Sequence, residues 1–400
     1  MSFTNTVEKL VFTKKKYTLF ANVLLMCFIL QQLGFNYHLS FATIGIVLIF
    51  KILAQELGNE DFKNGLYVSL SILFCLLINL VEGYNDEFFR VLRFSLNGFI
   101  LFFLLNKNYC LPIPSKNFMF LVIFFLVFIV SYQVFVDPYF QIDQNFFSTK
   151  ENLGIVENEI NNRTIILRTN GIFSEPSYLG MVLCCIFSLI INSNNTDKFI
   201  KILQSILLIF TLIISGSGLG LAGLILLSID YLLRMKLKKT ILFFIMLSII
   251  LITIISILDS STNLTFSILE RILTVKTDGD ASGETRFLHP FNLIYYNFYN
   301  GRIFGSLFDN YQFFLNTNLY TDPSDFPMHN GILNLIILFG IFGIWYIFKI
   351  IYKLNSSTEI ILFLIVGMQN GNFFSYEKVF ALVYILFTLR SFINTNPQRI

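Results

Sequence analysis

The feature that most constrains this chain is the recurrence of apolar stretches long enough to cross a bilayer. Runs of about 17 to 25 mostly apolar residues, the length a spanning helix needs, fall near 17–34, 39–55, 66–81, 88–106, 117–136, 176–192, 198–214, 217–233, 240–258, 329–348, 357–374 and 377–394. That makes about twelve; 39–55 and 66–81 are short, which leaves eleven or thirteen open. The expected fold is all-α: one polytopic membrane domain over residues 1–400, with two long polar loops at 137–175 and 259–328. The residue usage fits, with 13% charged residues against about 25% in soluble domains. A net charge of +3 is too small to imply a nucleic-acid partner.

Charge sorting orients the spans. With the N-terminus inside, the inner segments hold Lys9, Lys14, Lys15, Lys16, Lys51, Lys63, Lys107, Lys116, Lys198 and Lys201, and later Arg234 to Lys239 (RMKLKK), Lys349, Lys353, Arg390 and Arg399. The short outer turns near 35–38, 82–87 and 215–216 hold no Lys or Arg. Both termini are therefore expected in the cytoplasm and both long loops outside. No small-residue cleavage site follows Lys14–Lys16, so the first span is expected to be retained. The five cysteines avoid the long loops and lack metal-ligand spacing, which leaves no disulfide framework there. The stretch FNLIYYNFYNGRIFGSLF in the second loop fits an amphipathic surface helix that stops at Gly301.

Candidate chemistry gathers on the outer face. At the mouth of a span, LRTNGIFSEPSYLG packs Arg168, the flexible Gly171, Glu175 and the helix-starting Pro176 together. The outer loops also carry Lys150, Arg163, Arg271, Lys276, Arg286 and Arg302. The planar guanidinium suits bidentate binding of phosphate or carboxylate; ion pairing with Glu151, Glu157, Glu159, Asp278, Asp280 and Glu284 is the competing role. Arg90 and Arg93 lie one turn apart near the outer end of the fourth span, open between a polar cavity and headgroup snorkelling. His329 opens the tenth span and is either a proton acceptor or a helix-start polar residue, with Asn330 as its cap or orienting partner. His38 sits in a short turn and His289 in a loop before Pro290. The TDGD run around Asp278 reads as a turn rather than a metal-binding DxD. The GSGLG run (Gly216–Gly220) lacks dinucleotide context and reads as a place for close helix packing.

Three segments in order, RTNGIFSEPSYLG (Arg168–Gly180), SGETR (Ser282–Arg286) and HNGILNLIILFGIFG (His329–Gly343), resemble the bacterial polysaccharide polymerase and O-antigen ligase superfamily. They cover about a tenth of the chain, and the EP-containing first motif is closer to the Wzy-type polymerases than to the ligases. The resemblance implies a membrane-embedded, GT-C-like glycosyltransferase that works at the outer face without a metal or other cofactor. Its donor is a glycan on undecaprenyl diphosphate, and its acceptor a single repeat unit on the same lipid. Arg168 and Arg286 then bind the leaving diphosphate, with Arg163 and Arg302 nearby. His329 is the base or acceptor-orienting group, with Glu175 its rival. A chain-length regulator protein is an implied partner. The leaving diphosphate must be neutralised as the anomeric bond breaks, and without a metal that falls to arginine.

The competing functions are an O-antigen ligase and a flippase or transporter of lipid-linked oligosaccharide. A flippase would spread charge through several spans and show two similar halves; here charge concentrates in the loops and no repeat is visible. A structural role within a synthesis complex is the remaining alternative.

Overall fold

The computed structural model describes residues 14–30, 59–81, 88–105, 110–136, 176–193, 198–234, 289–305, 330–369 and 373–394, and the single positions 45, 173 and 287. Among them the secondary structure is helical throughout. The helices are α1 (Lys14–Leu30), α2 (Asn59–Val81), α3 (Phe88–Leu104), α4 (Lys116–Phe135), α5 (Pro176–Asn192) and α6 (Lys198–Ile214). They continue with α7 (Gly218–Leu233), α8 (His289–Tyr299), α9 (Gly331–Phe339), α10 (Ile341–Lys353), α11 (Ser357–Gly367) and α12 (Tyr376–Asn394). The chain forms two compact units, one of Met1–Thr43, Asn108–Ser267 and Tyr384–Ile400, the other of Ile44–Lys107 and Ile268–Val383. The expected spans at 39–55, apart from position 45, and at 240–258 lie outside the described residues.

In the first unit α5 is the central element, with Leu179 and Met181–Phe187 buried almost completely. It packs against α7 through glycine: a Cβ on Gly180 would stand 2.8 Å from the Gly220 Cα, and the Cys184 thiol donates to the Gly220 carbonyl at 3.2 Å. The GSGLG run is thus a close helix contact, and Ser217 caps α7 by accepting from the Gly220 N–H at 3.1 Å. Ser115 likewise caps α4, held from α1 by Asn22, whose Oδ1 accepts from the Ser115 N–H at 2.8 Å. Lys201 closes the C-terminus of α5, donating to the carbonyls of Ile191 at 2.6 Å and Ser193 at 3.1 Å.

In the second unit α2 and α3 form an antiparallel pair whose close approach is again allowed by glycine. A Cβ on Gly65 would meet Phe99 at 2.9 Å, one on Gly98 would meet Ile72 at 2.9 Å, and the Ser69 and Ser95 hydroxyls bond at 2.6 Å. α10 also runs antiparallel to α2, since Lys353 pairs with Asp61 at 3.9 Å, the Tyr346 hydroxyl bonds Ser71 at 2.7 Å and Phe342 lies 6.1 Å from Phe74. The Tyr346 ring is fully buried among Phe102, Phe339 and Phe374.

Two expectations are corrected here. The run expected as one span at 329–348 is two helices, α9 and α10, broken at Gly340 with φ 54° and ψ −124°. The break is filled by the turn after α8: the Ile341 N–H donates to the Ile303 carbonyl at 3.0 Å, and Gly305 lies against Leu338 and Gly340. His289, expected in a loop, is the first residue of α8, with Pro290 in the first turn, where its missing N–H costs nothing. α8 does stop at Gly301 (φ 75°), with Arg302 N–H donating to Asn297 O at 2.9 Å and Gly301 N–H to Phe298 O at 3.1 Å, the paired bonds of a Schellman cap.

α4 is the one described helix both long and apolar enough to cross a membrane, with mean hydropathy 2.6 over its apolar window and 39% of that window buried. α5, α7 and α11, and the apolar parts of α1 and α3, pass on composition but are shorter.

Candidate functional site

Of the residues expected to carry chemistry, Arg168, Glu175, Arg163, Arg286 and His329 lie outside the described residues. Arg93, Arg302 and Asn330 are described, and all three belong to the second unit. Of Arg90 only the backbone is described, in the first turn of α3.

Asn330 has the clearest role. Its backbone is extended (φ −136°, ψ 103°), and its side-chain oxygen accepts from the N–H groups of Ile332 at 3.1 Å and Leu333 at 3.2 Å. It is therefore the N-cap of α9, as its position at a span start leads one to expect, and it is buried at 2% exposure. The next residue, Gly331, donates its N–H to the Gln369 carbonyl at 3.1 Å. Gln369 follows the end of α11, which stops at Gly367; a Cβ on Gly367 would meet Ile332 Cγ1 at 2.5 Å. The start of α9 and the end of α11 are thus in direct contact. The span expected at 357–374 therefore closes seven residues early, in a turn rather than a helix.

That turn also receives α3 and α12. The Lys378 ammonium, in the first turn of α12, donates to the same Gln369 carbonyl at 2.7 Å. The Asn97 amide on α3 donates to the Phe374 carbonyl at 2.7 Å, and the Arg93 guanidinium carbon lies 6.0 Å from the centre of the Tyr376 ring. Arg93 is exposed while Asn97, one turn further along the same face, is wholly buried. The side-chain oxygen of Asn97 has no partner among the described residues. One end of the unit thus gathers Asn97, Asn330, Asn334, Gln369 and Lys378, all nine-tenths buried or more.

Arg302 is brought to a different place. It is the residue after the α8 cap, half-buried, its carbonyl accepting from Gly305 N–H at 3.0 Å. Arg302 is positioned by the α9–α10 break, whereas Asn330 stands at the other end of α9. Among the described residues no three His, Cys, Asp or Glu side chains come together in a way that would hold a metal ion.

Lys378, Asn97 and Gln369 were not singled out by the sequence reading. A signal was present for Lys378: in the topology expected from charge sorting it follows an outer turn, where that rule places few lysines. Asn97 and Gln369 are isolated amides in or beside apolar runs, and nothing in the pattern separates them from exposed ones.

No protein-family model, no curated protein and no solved structure matches the chain. The likeness to the polymerase and ligase superfamily rests on the three motifs alone.

Proposed function

We propose that the protein is a polytopic enzyme of the bacterial cytoplasmic membrane, with both termini inside. In this reading it polymerises surface polysaccharide at the outer face, moving an undecaprenyl-diphosphate-linked glycan block onto a lipid-linked repeat unit without a metal. One observation supports the membrane part: α2 and α4 expose apolar faces, while several polar side chains are buried among the apolar core. Leu121, Phe124, Phe125 and Phe128 of α4 and Leu66, Leu70, Phe74 and Leu77 of α2 are exposed, while Asn97, Gln133, Gln204, Asn334 and Lys378 are buried. Contiguous apolar surface of this kind is rare on soluble monomers, and polar groups in spans face the interior.

The observation that carries the enzymatic part is the buried cap at Asn330, in the third motif. The motif residues Asn330 and Gly331 are fixed by hydrogen bonds to α9 itself and to Gln369, which is the rigidity an acceptor-orienting group at the adjacent His329 requires. In the mechanism proposed, Arg168 and Arg286 neutralise the diphosphate as the anomeric carbon–oxygen bond breaks. The acceptor hydroxyl gives its proton to His329 or Glu175 as its oxygen bonds to that carbon. Arg163, Arg90 and Arg93 extend the cationic surface toward the lipid headgroup, and Arg302, at the other end of α9, contacts the substrate apart from them.

The test uses purified protein in lipid vesicles with undecaprenyl-diphosphate-linked repeat units and no divalent metal. A ladder of products made by wild type and lost in folded Arg168→Ala and Arg286→Ala supports the reading. A ladder that survives His329→Ala moves the base to Glu175. No ladder from folded wild type on its own repeat unit counts against polymerase and favours ligase or transporter.

A further inference from the structure

Lys378 departs from the rule that sorts the other described lysines of its unit. Lys349 and Lys353 lie at the end of α10 beside the start of α2, where Lys353 pairs with Asp61 at 3.9 Å and Lys63 lies nearby in sequence. Lys378 lies instead in the first turn of α12, with the caps of α9 and α11, at 3% exposure. Dehydrating an ammonium is costly unless polar groups replace its water. Lys378 stands at the start of α12, where the dipole disfavours a cation, and at the end of α11, where the dipole favours one, so its ammonium is placed between two helix ends.

Its contact shows what the lysine does. Nζ donates at 2.7 Å to the Gln369 carbonyl, the oxygen on which the Gly331 N–H also rests at 3.1 Å. That carbonyl lies just beyond the last turn of α11, where Met368 N–H donates to Leu364 O at 2.8 Å. One oxygen therefore joins three elements: the first residue of α9, the end of α11 and the first turn of α12. A charged donor makes the stronger of its two bonds, so Lys378 holds the oxygen in place and the oxygen holds Gly331.

We infer that Lys378 is a positioning residue for the acceptor-handling end of α9. It fixes the Gln369 carbonyl that locates Gly331, and through it the Asn330 cap. The inference rests on the glycosyltransferase reading for its catalytic consequence, while its structural consequence stands without it.

The test is a series of Lys378→Arg, Lys378→Gln and Lys378→Met in the full chain in vesicles, supplied with the lipid-linked oligosaccharide of the source cell. Arginine keeps a charged donor, glutamine a neutral and shorter one, and methionine none. Lys378→Met is expected to lower kcat about tenfold to a hundredfold, the scale of a displacement near 1 Å in a reacting geometry. KM is expected to stay within about twofold of wild type, with Lys378→Arg closest to wild type and Lys378→Gln between. Hydrogen exchange at the first turn of α9 is expected to quicken in the same order. Equal kcat across the folded variants, or kcat that only tracks the folded fraction, overturns the catalytic role. Should Lys378→Met not fold, Lys378→Gln against Lys378→Arg decides, and equal kcat and exchange in that pair overturn the inference. If wild type makes no ladder, the glycosyltransferase reading fails by itself; the exchange measurement still decides the tie, and unchanged exchange in the folded variants refutes it.

Discussion

Gly340→Ala is the substitution whose effect the structure specifies most closely. Gly340 has φ 54° and ψ −124°, a conformation outside the ordinary range of L-residues. A Cβ there would stand 2.0 Å from the Ile303 carbonyl oxygen and 2.5 Å from the Gly305 nitrogen. Both are backbone atoms, so no rotamer change relieves the clash. The Ile303 carbonyl is also the acceptor for Ile341 N–H at 3.0 Å, so moving it opens the hydrogen bond that joins the turn to α10. The backbone conformation costs about 1–3 kcal/mol and overpacking about 1–3 kcal/mol more, which sums to about 2–6 kcal/mol. The assay is the thermal midpoint of purified protein in detergent, with Gly218→Ala as control. Gly218 has nothing within 4 Å of its Cβ position and lies in the first turn of α7, so alanine there is expected to be neutral or to stabilise by up to about 1 kcal/mol. Gly340→Ala should melt clearly below both wild type and control, with its product ladder reduced because Arg302 moves with the displaced turn. Equal midpoints for the two variants would refute the docking of residues 301–305 into the helix break.

Three further outcomes follow from other contacts. Gly180→Val should lower the midpoint, since even its Cβ would stand 2.8 Å from Gly220 Cα, an overpacking of about 1–3 kcal/mol; an unchanged midpoint would deny the close α5–α7 contact. Asn330→Ala should cost about 1 kcal/mol by removing the α9 cap, whereas Asn330→Ser keeps a neutral capping oxygen at this buried position and should melt closer to wild type; equal melting of the two would remove the cap argument. Alkaline phosphatase fused after residue 300 should be active and after residue 236 inactive, and the reverse pattern would invert the proposed topology.

How far the sequence alone led depended on whether a local signal marked each feature. Pro176 and Lys198 open α5 and α6 at the boundaries read from hydropathy, because a helix-starting proline and a charge flank marked those starts. The stop at Gly301 was legible because a glycine after an aromatic helical run has one main use, the positive-φ cap it indeed makes. The break at Gly340 was not legible. ILFGIFG is apolar on both sides, and a hydropathy window cannot see that the turn of Ile303 and Gly305, from far back in the chain, enters there. The early end of α11 was hidden for a related reason: Phe373 and Phe374 keep the run apolar although they are packed in a turn. For the site, Asn330 was found through its place at a helix start, and its cap geometry is seen directly. Lys378 and Gln369 were missed because their contact is between a side chain and a main-chain oxygen, which leaves no complementary pair of residue types in the sequence.

The polar end of the second unit is better explained by geometry than by stability. Buried polar groups can be replaced by apolar ones of similar volume at little cost, often with a gain, and an enclosure of Phe339, Phe363, Phe373 and Phe374 is already at hand to receive them. Yet Asn97, Asn330, Asn334, Gln369 and Lys378 are all buried there. Apolar contacts are non-directional and would leave the start of α9 free to slide along α11. A carbonyl shared by an ammonium and an N–H at 2.7 and 3.1 Å specifies one position. A short helix such as α9, nine residues from Gly331 to Phe339, has little packing surface of its own with which to set its depth. Its start is fixed at the Gln369 carbonyl, and the break beyond its end by the Ile303 carbonyl, which accepts from Ile341 at the start of α10. The residue just before that fixed start in the sequence is His329, so on the proposed reading an acceptor-orienting group there would follow directly from a fixed helix start.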